Sequence, residues 1–425
     1  MTEIEESRPV NIDVVSQHVD DAASLRAMRS VLVRAPHVKL KDLARADERL
    51  AAHLDGLSIA GEIGASLSRA ALGAAGVGAL FVACIVAIEC RDGALLRQLL
   101  SLLERVPAAA RALSSAFGWV SASRLRGVVA HLLASESPQI RWLGLAACAQ
   151  HRVDPGAPLA QALDHEDARL RTRALRAAGE LGRIDLLGNC LAHLGDDVPA
   201  AAFAAARSSV LLGDRGKALA VLRECSLEAA SCRLDALIVA LFAADVPAAR
   251  GLVEALADNG ADARTKIRAA GWSGDIQAVP WLLRQMENPA RARLAGEAFS
   301  FITGVDLAWL DLHRDAPDDF DAPGPNDDPA DDNVALDEDD DLRWPDVAKV
   351  SGWWKENQSR FACGTRVFVG EAPAAARCVQ VLRKNTQRQR IAAALYLCTL
   401  QPGTVMFNCA APSKRQARLL AHMAP

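Results

Sequence analysis

Apolar positions recur at helical spacing along most of the chain, and the pattern itself repeats about every thirty residues. The segment SPQIRWLGLAACAQH at 137–151 is followed by a similar one, in which Arg171 stands 30 residues after Arg141. Turns recur at the same interval, since Gly304 follows Gly274 by 30 residues. Each period holds two apolar runs with i, i+3/4, i+7 spacing, which predicts pairs of helices. A fixed period of this length is typical of an α-solenoid.

The composition agrees with close-packed helices. Hydrophobic residues make up 51 % of the chain but aromatic residues only 4 %, so the apolar content is mostly Ala, Leu and Val. An arginine ahead of the first helix of a unit, and an acidic residue at the turn between units (Asp167, Asp197 and Asp262), resemble HEAT-type repeats. We predict an all-α protein: an N-terminal helical segment over 1–60 and a HEAT-like α-solenoid, a right-handed stack of helix pairs, over 61–312.

One segment, 70–88, has 19 residues without a charge, which is nominally enough to cross a bilayer. Its glycines at 73, 76 and 78 indicate a turn between two helices, so we interpret the segment as a buried helix and expect no membrane association. The N-terminus lacks the layout of a signal peptide. Ten cysteines without a C-x-x-C pair indicate small buried thiols in a reducing compartment, and we expect a cytoplasmic protein.

The charges are segregated beyond the repeats. Residues 315–341 hold 13 acidic side chains, four prolines and no Lys or Arg, which predicts a flexible linker over 313–342. Residues 342–425 hold 13 Lys or Arg and three acidic residues, a net charge of +10. We predict a basic, mostly helical C-terminal module over 343–425, which could cap the array as a divergent final repeat.

The C-terminal module contains WWKENQSRFACGTRVFVG at 353–370, with two adjacent tryptophans. Val347, Val350 and Trp354 fall on one helical face, so Trp354 is predicted to be core and Trp353 to be a surface residue. The candidate partner-binding residues are Trp353 and the basic side chains Arg383, Lys384, Arg388 and Arg390.

These stretches, together with FITGVDL at 301–307 and the run from 381 to 420, resemble the C-terminal signature of an uncharacterised bacterial family. That family is similar to HEAT-repeat proteins and is commonly encoded in type VI secretion gene clusters. The resemblance implies an accessory role without catalytic residues to transfer. The partner it implies is a protein, such as a secreted effector or a spike-tip component.

The sequence contains none of the common catalytic motifs: no H-E-x-x-H, no G-x-S-x-G and no phosphate-binding loop. We predict no catalytic residues, no metal and no cofactor, and therefore a non-enzymatic scaffold or adaptor. An immunity protein that neutralises the toxin of a neighbouring gene remains an alternative, which neither composition nor spacing separates from an adaptor. A nucleic-acid-binding solenoid is a third hypothesis. It is disfavoured because residues 1–314 are nearly neutral, whereas a surface that binds nucleic acid is basic.

The acidic segment suggests one regulatory hypothesis. A linker of charge −13 next to a module of charge +10 should associate with it transiently. We expect residues 315–341 to shield Arg383, Lys384, Arg388 and Arg390 and to yield to an acidic partner; the alternative is a passive spacer.

Overall fold

The computed structural model describes residues 10–74, 76–228, 230–318, 320 and 337–423. These residues form two compact units. Unit 1 comprises residues up to 33, 41–177 and 410–418, and unit 2 comprises 34–40, 178–409 and the residues from 419 onward. The prediction of an all-α class is confirmed, because the regular structure of the described chain is almost entirely helical.

The described residues form 22 α-helices and one pair of two-residue strands. The helices are α1 Ile12–Leu32, α2 Leu40–Ile59, α3 Glu62–Ala70, α4 Val77–Glu89, α5 Gly93–Leu100, α6 Pro107–Trp119, α7 Val128–Leu133, α8 Pro138–His151, α9 Ala157–Leu163, α10 Ala168–Glu180, α11 Leu187–Ala192, α12 Pro199–Leu211, α13 Lys217–Leu227, α14 Arg233–Ala243, α15 Val246–Asp258, α16 Ala263–Ser273, α17 Val279–Gln285, α18 Pro289–Thr303, α19 Val347–Asn357, α20 Ala375–Lys384, α21 Gln387–Leu400 and α22 Ser413–His422. The strands are β1 His313–Arg314 and β2 Trp344–Pro345, which pair antiparallel.

In unit 1 the apolar part of 70–88 forms α4, a helix of 13 residues. Residues 80–88 are all buried, and α4 packs against α1, α3, α5 and α6. A helix that is apolar around its whole circumference must be covered on every side, and these neighbours provide that cover. None of the helices in the described part of the chain combines the length and hydropathy needed to span a bilayer.

In unit 2 alternate helices pack on one another along the chain. Helix α12 contacts α14, α14 contacts α16, and α16 contacts α18, while α13, α15 and α17 lie against them. Residues 236–242 of α14 are all buried, as are residues 392–398 of α21. Helix α21 packs against both α12 and α14, so the C-terminal part of the chain covers the apolar surface of these two helices.

The VFVG stretch, predicted as a short strand or extended segment, lies across the ends of α16 and α18. Val367 N–H donates to the carbonyl oxygen of Gly274 (2.9 Å), and Val369 N–H donates to that of Phe301 (2.8 Å). The last carbonyl groups of a helix have no partner within the helix, so these bonds satisfy two of them. Gly304, which ends α18 with φ of 74°, makes this close approach possible.

The prediction of a flexible linker over 313–342 is wrong for the described residues at its two ends. Residues 313–314 form β1, and Asp339 is buried with 2 % of its surface exposed. An acidic residue enters a protein interior only when it is paired, and the partners of Asp339 are described below. Residues 319 and 321–336 lie outside the described residues.

The predicted C-terminal module over 343–425 does not form a compact unit of its own. Residues 343–409 and those after 418 belong to unit 2, and 410–418 belong to unit 1. The physical reason is that α20 and α21 share a hydrophobic core with α12, α13 and α14, so this part of the chain completes unit 2 instead of standing beside it.

Replacing Gly304 with alanine should destabilise the protein. A Cβ atom there would lie 2.6 Å from the carbonyl oxygen of Val369, on a backbone with positive φ. We expect a loss of about 1 kcal/mol or more in the free energy of unfolding, measured with urea. Gly251→Ala is the control, because its helix position opens onto free space and alanine should raise stability by about 0.5–1 kcal/mol. Equal effects of the two substitutions would contradict this account of Gly304.

Candidate functional site

The two adjacent tryptophans belong to a small core in unit 2. The Trp354 side chain is buried, with its ring stacked on Phe361 at a centroid distance of 5.7 Å, which agrees with the prediction that it is core. Trp353 was predicted to be a surface residue, but it is half-buried and its ring meets Phe299 edge-on at 5.8 Å. The tryptophan pair therefore packs α19 against the core, and Trp353 presents only part of its ring to the solvent.

Two of the predicted basic contacts are used inside the fold. Arg390 is fully buried, and its Nε donates to the carbonyl oxygen of Leu382 near the end of α20 (2.7 Å). Burial lowers the pKa of Arg390. Arg383 donates to the carbonyl oxygens of Leu420 (2.8 Å) and Met423 (2.6 Å) at the end of α22. Both guanidinium groups thus hold carbonyl groups that a helix end leaves unpaired and partly negative.

The same use of arginine recurs at other helix ends. In unit 2, Arg366 donates to the carbonyl oxygens of Leu241 (2.5 Å) and Ala244 (2.8 Å), at the end of α14. In unit 1, Arg415 donates to that of Gly118 (3.0 Å), and burial lowers the pKa of Arg415 to about 10. Several of the positive charges counted over 342–425 are therefore paired inside the fold, whereas others, such as Lys384, Lys414 and Arg418, are exposed.

Four arginines of unit 2 converge on one place. Arg264 and Arg268 lie one turn apart on α16, Arg293 lies on α18, and Arg388 lies in the first turn of α21. We call these four residues the arginine cluster. Helices α16 and α18 pack against each other, and this contact holds the first three side chains together.

The arginine cluster is occupied by residues 337–339, which we call the acidic turn. Arg264 donates two hydrogen bonds to the carboxylate of Asp339, from Nη1 to Oδ2 and from Nη2 to Oδ1, each 2.7 Å long. The Nη2 atom of Arg268 lies 2.6 Å from Oε2 of Glu338. The contact of Arg264 with Asp339 is bidentate, and charge-assisted bidentate pairs of this kind are among the strong hydrogen bonds that side chains make.

The other two arginines fix the backbone of the acidic turn. Arg293 donates to the carbonyl oxygen of Asp339 (3.0 Å) and to the Asp337 carboxylate (2.6 Å). Arg388 donates to the carbonyl oxygen of Glu338 (2.8 Å). Arginine therefore contacts the carboxylates of all three residues of the acidic turn and the carbonyl oxygens of two of them, Glu338 and Asp339.

Aromatic rings cover one side of the site. The guanidinium carbon of Arg293 lies 5.0 Å from the ring centroid of Trp344 and 5.2 Å from that of Phe320. The two rings meet edge to face at 4.7 Å. Cation–π contacts of this kind orient the guanidinium group, so Arg293 is held in position by its surroundings.

The charges in the site balance only when the acidic turn is bound. Four arginines face Glu297 and the three carboxylates of the turn, whereas without the turn Glu297 alone would remain. Arg388 Nη1 lies 2.6 Å from Oε2 of Glu297, and burial raises the pKa of that carboxyl group. The hydrogen bond from Arg268 lowers the pKa of Glu338, and the bond to Asp339 raises the pKa of Arg264.

This site differs from the one predicted for the acidic segment. Of the four basic residues that the segment was expected to shield, Arg388 contacts the acidic turn; Arg383 and Arg390 bind carbonyl groups, and Lys384 is exposed. The three arginines on α16 and α18 were not among the residues predicted from the sequence. Arginines spaced i, i+4, as at 264 and 268, were the available signal, but such pairs also occur on plain solvated helix faces.

A small cavity of about 280 Å³ lies in unit 1. It is lined by Asp21, Ser24, Leu25, Met28, Arg49 and His53. The Nδ1 atom of His53 lies 3.0 Å from Nδ1 of His18, so one ring donates a hydrogen bond and the other accepts it. Within the described ranges, no three His, Cys, Asp or Glu side chains come together as a metal site.

No protein-family model matches the chain, and no curated protein matches it either. The resemblance to a family of type VI secretion clusters stays an expectation from the sequence.

Replacing Arg390 with glutamine should lower stability, because the substitution removes a buried donor and leaves the Leu382 carbonyl group unpaired. We expect a loss of about 2 kcal/mol or more in the free energy of unfolding. Lys384→Gln, on the exposed end of the neighbouring helix, should stay within about 0.5 kcal/mol of the parent. If both variants unfold at the same midpoint urea concentration as the parent, Arg390 does not have the structural role assigned to it.

Acidification should weaken the binding of the acidic turn. The folded protein holds the pKa of Glu338 below its ordinary value, so the stabilisation is present above about pH 4.3 and is lost as the pH falls through the folded value. Because this side chain is 64 % exposed, the contribution should be under about 1 kcal/mol.

The measurement is the loss of stability between about pH 6 and pH 3.5 in the parent and in Glu338→Gln. The parent should lose more, since the variant has no carboxylate to protonate. Identical losses would show that Glu338 contributes nothing through its charge.

Proposed function

We propose that this chain is a non-enzymatic scaffold that binds another protein. The observation that carries the proposal is the arginine cluster, whose four side chains bind the chain's own acidic turn through both its carboxylates and its backbone. Guanidinium groups fixed by helix packing and by aromatic rings form a recognition surface for carboxylates.

The scaffold architecture that we propose is a HEAT-like α-solenoid with right-handed helix pairs. Two features support it. One is the thirty-residue period of the sequence, and the other is the packing of alternate helices in unit 2 on their next-but-one neighbours. Helix pairs stacked in order produce this pattern.

The biological setting that we propose, an accessory role in type VI secretion in the cytoplasm, rests on the resemblance of the C-terminal stretches. A secreted effector or a spike-tip protein would then be the partner. An immunity protein remains the alternative within the same setting. Nucleic acid is disfavoured, because Arg383 and Arg390 donate to carbonyl groups instead of facing outward.

The test is to co-express the full chain with the product of each neighbouring gene and to measure complexes by size-exclusion chromatography with light scattering. A scaffold should form a defined complex with at least one product, and Arg264→Gln with Arg268→Gln should weaken it about tenfold or more. Arg284→Gln with Lys217→Gln, which removes the same charge from exposed positions, should leave the complex unchanged.

Two outcomes would count against the scaffold. The first is the absence of a complex with any of these products. The second is abolition of one product's toxicity by the chain, which would favour the immunity protein.

A further inference from the structure

The contact between the acidic turn and the arginine cluster is made by a short linear segment. Three consecutive residues, Asp337 to Asp339, supply every carboxylate and carbonyl oxygen that the turn presents to the four arginines. The turn is shaped by its own hydrogen bond from Asp339 N–H to the Asp337 carboxylate (2.9 Å). A segment of another protein with similar acidic residues could therefore make the same set of bonds.

The arginine cluster requires an acidic occupant. With the turn removed, four guanidinium groups would face the single carboxylate of Glu297; with the turn in place, Arg293 and Arg268 have 10 % and 16 % of their side chains exposed. Like charges held close together repel one another, so a cluster without an acidic occupant is less favourable than an occupied one. Exchange of one acidic segment for another avoids that state.

The carboxylates of the acidic turn differ in how deeply they are buried. The Asp339 side chain is 3 % exposed, whereas Glu338 is 64 % exposed, although both contact the same helix. Ion pairs at the exposed edge contribute little, and an incoming carboxylate can replace them first. Tethering through the chain gives the turn an effective concentration of about millimolar, so only a segment with several carboxylates can compete.

We propose that the arginine cluster is a binding site for an acidic peptide segment of a partner protein, and that the acidic turn is an internal occupant which this segment displaces. This inference rests on the proposed scaffold function and adds the class of partner and its regulation. The bound turn prevents weakly acidic segments and isolated anions from binding to the arginine cluster. A partner segment with at least three clustered carboxylates displaces the turn.

The test uses the full chain and a fluorescent peptide with the sequence of residues 334–343, VALDEDDDLR. The variant Asp337→Asn, Glu338→Gln, Asp339→Asn neutralises the internal occupant. Its matched control, Glu254→Gln, Asp258→Asn, Glu287→Gln, removes the same charge from exposed positions in unit 2. Fluorescence anisotropy should show the peptide binding the first variant at least about tenfold more tightly than the parent or the control.

Two further variants make the result specific. Adding Arg264→Gln and Arg268→Gln to the neutralised chain should abolish the gain. Glu338→Gln alone, a substitution at an exposed side chain, should give a smaller gain without affecting folding, which circular dichroism checks. If the triple variant fails to fold, this single variant decides the question.

Equal peptide affinity for parent, control and neutralised chain would overturn the proposal, and so would a single variant without any gain. Tighter binding of a 12-nucleotide single-stranded DNA than of the peptide would overturn it as well. A partner complex that the neutralising variant leaves unchanged would refute displacement while keeping the scaffold. Tight peptide binding without any protein complex would support the acidic-peptide site and refute the scaffold.

Discussion

The stability of unit 2 depends on the burial of two helices, α14 and α21, which are apolar around their whole circumference. Residues 236–242 of α14 and 392–398 of α21 are buried without interruption, so neither helix can face water on any side. A stack of helix pairs alone leaves one surface of its inner helices open. In this chain, α21 packs across α12 and α14, and burial of that surface supplies the driving force that holds the C-terminal residues in place.

That packing determines what the basic residues can do. Once α20, α21 and residues 366–370 lie against helix ends, Arg366 and Arg390 meet carbonyl groups that lack partners within their helices, and they donate to them. Part of the positive charge of the C-terminal region is therefore paired within the fold. The same packing brings Arg388 beside Arg264, Arg268 and Arg293, and the resulting excess of positive charge is neutralised by the acidic turn. One constraint thus produces both the internal arginines and the candidate site.

The sequence predicts the helices because apolar periodicity is a local property, and it predicts Trp354 as core for the same reason. It does not predict the acidic turn. The composition of 315–341, with many acidic and few apolar residues, is typical of a solvated linker. Composition carries no information on the partner of Asp339, because Arg264 lies 75 residues earlier in the sequence. Arg390 is misread in the same way, because a basic residue in a polar run is expected to be exposed. Both errors concern polar groups whose partners are distant in sequence, and periodicity carries no information about these.

The reactivity of the cysteines tests most directly whether the C-terminal residues are part of the core. Cys378, Cys398 and Cys409 are buried in unit 2, and burial raises the pKa of Cys378 to about 12, whereas Cys90 and Cys363 are exposed. Thiol reagents react with accessible thiolates. In the native protein a water-soluble maleimide, located by mass spectrometry, should modify Cys90 and Cys363 rapidly and reach the other three only when the protein unfolds. Modification of Cys378, Cys398 and Cys409 at the rate of Cys363 would contradict the account.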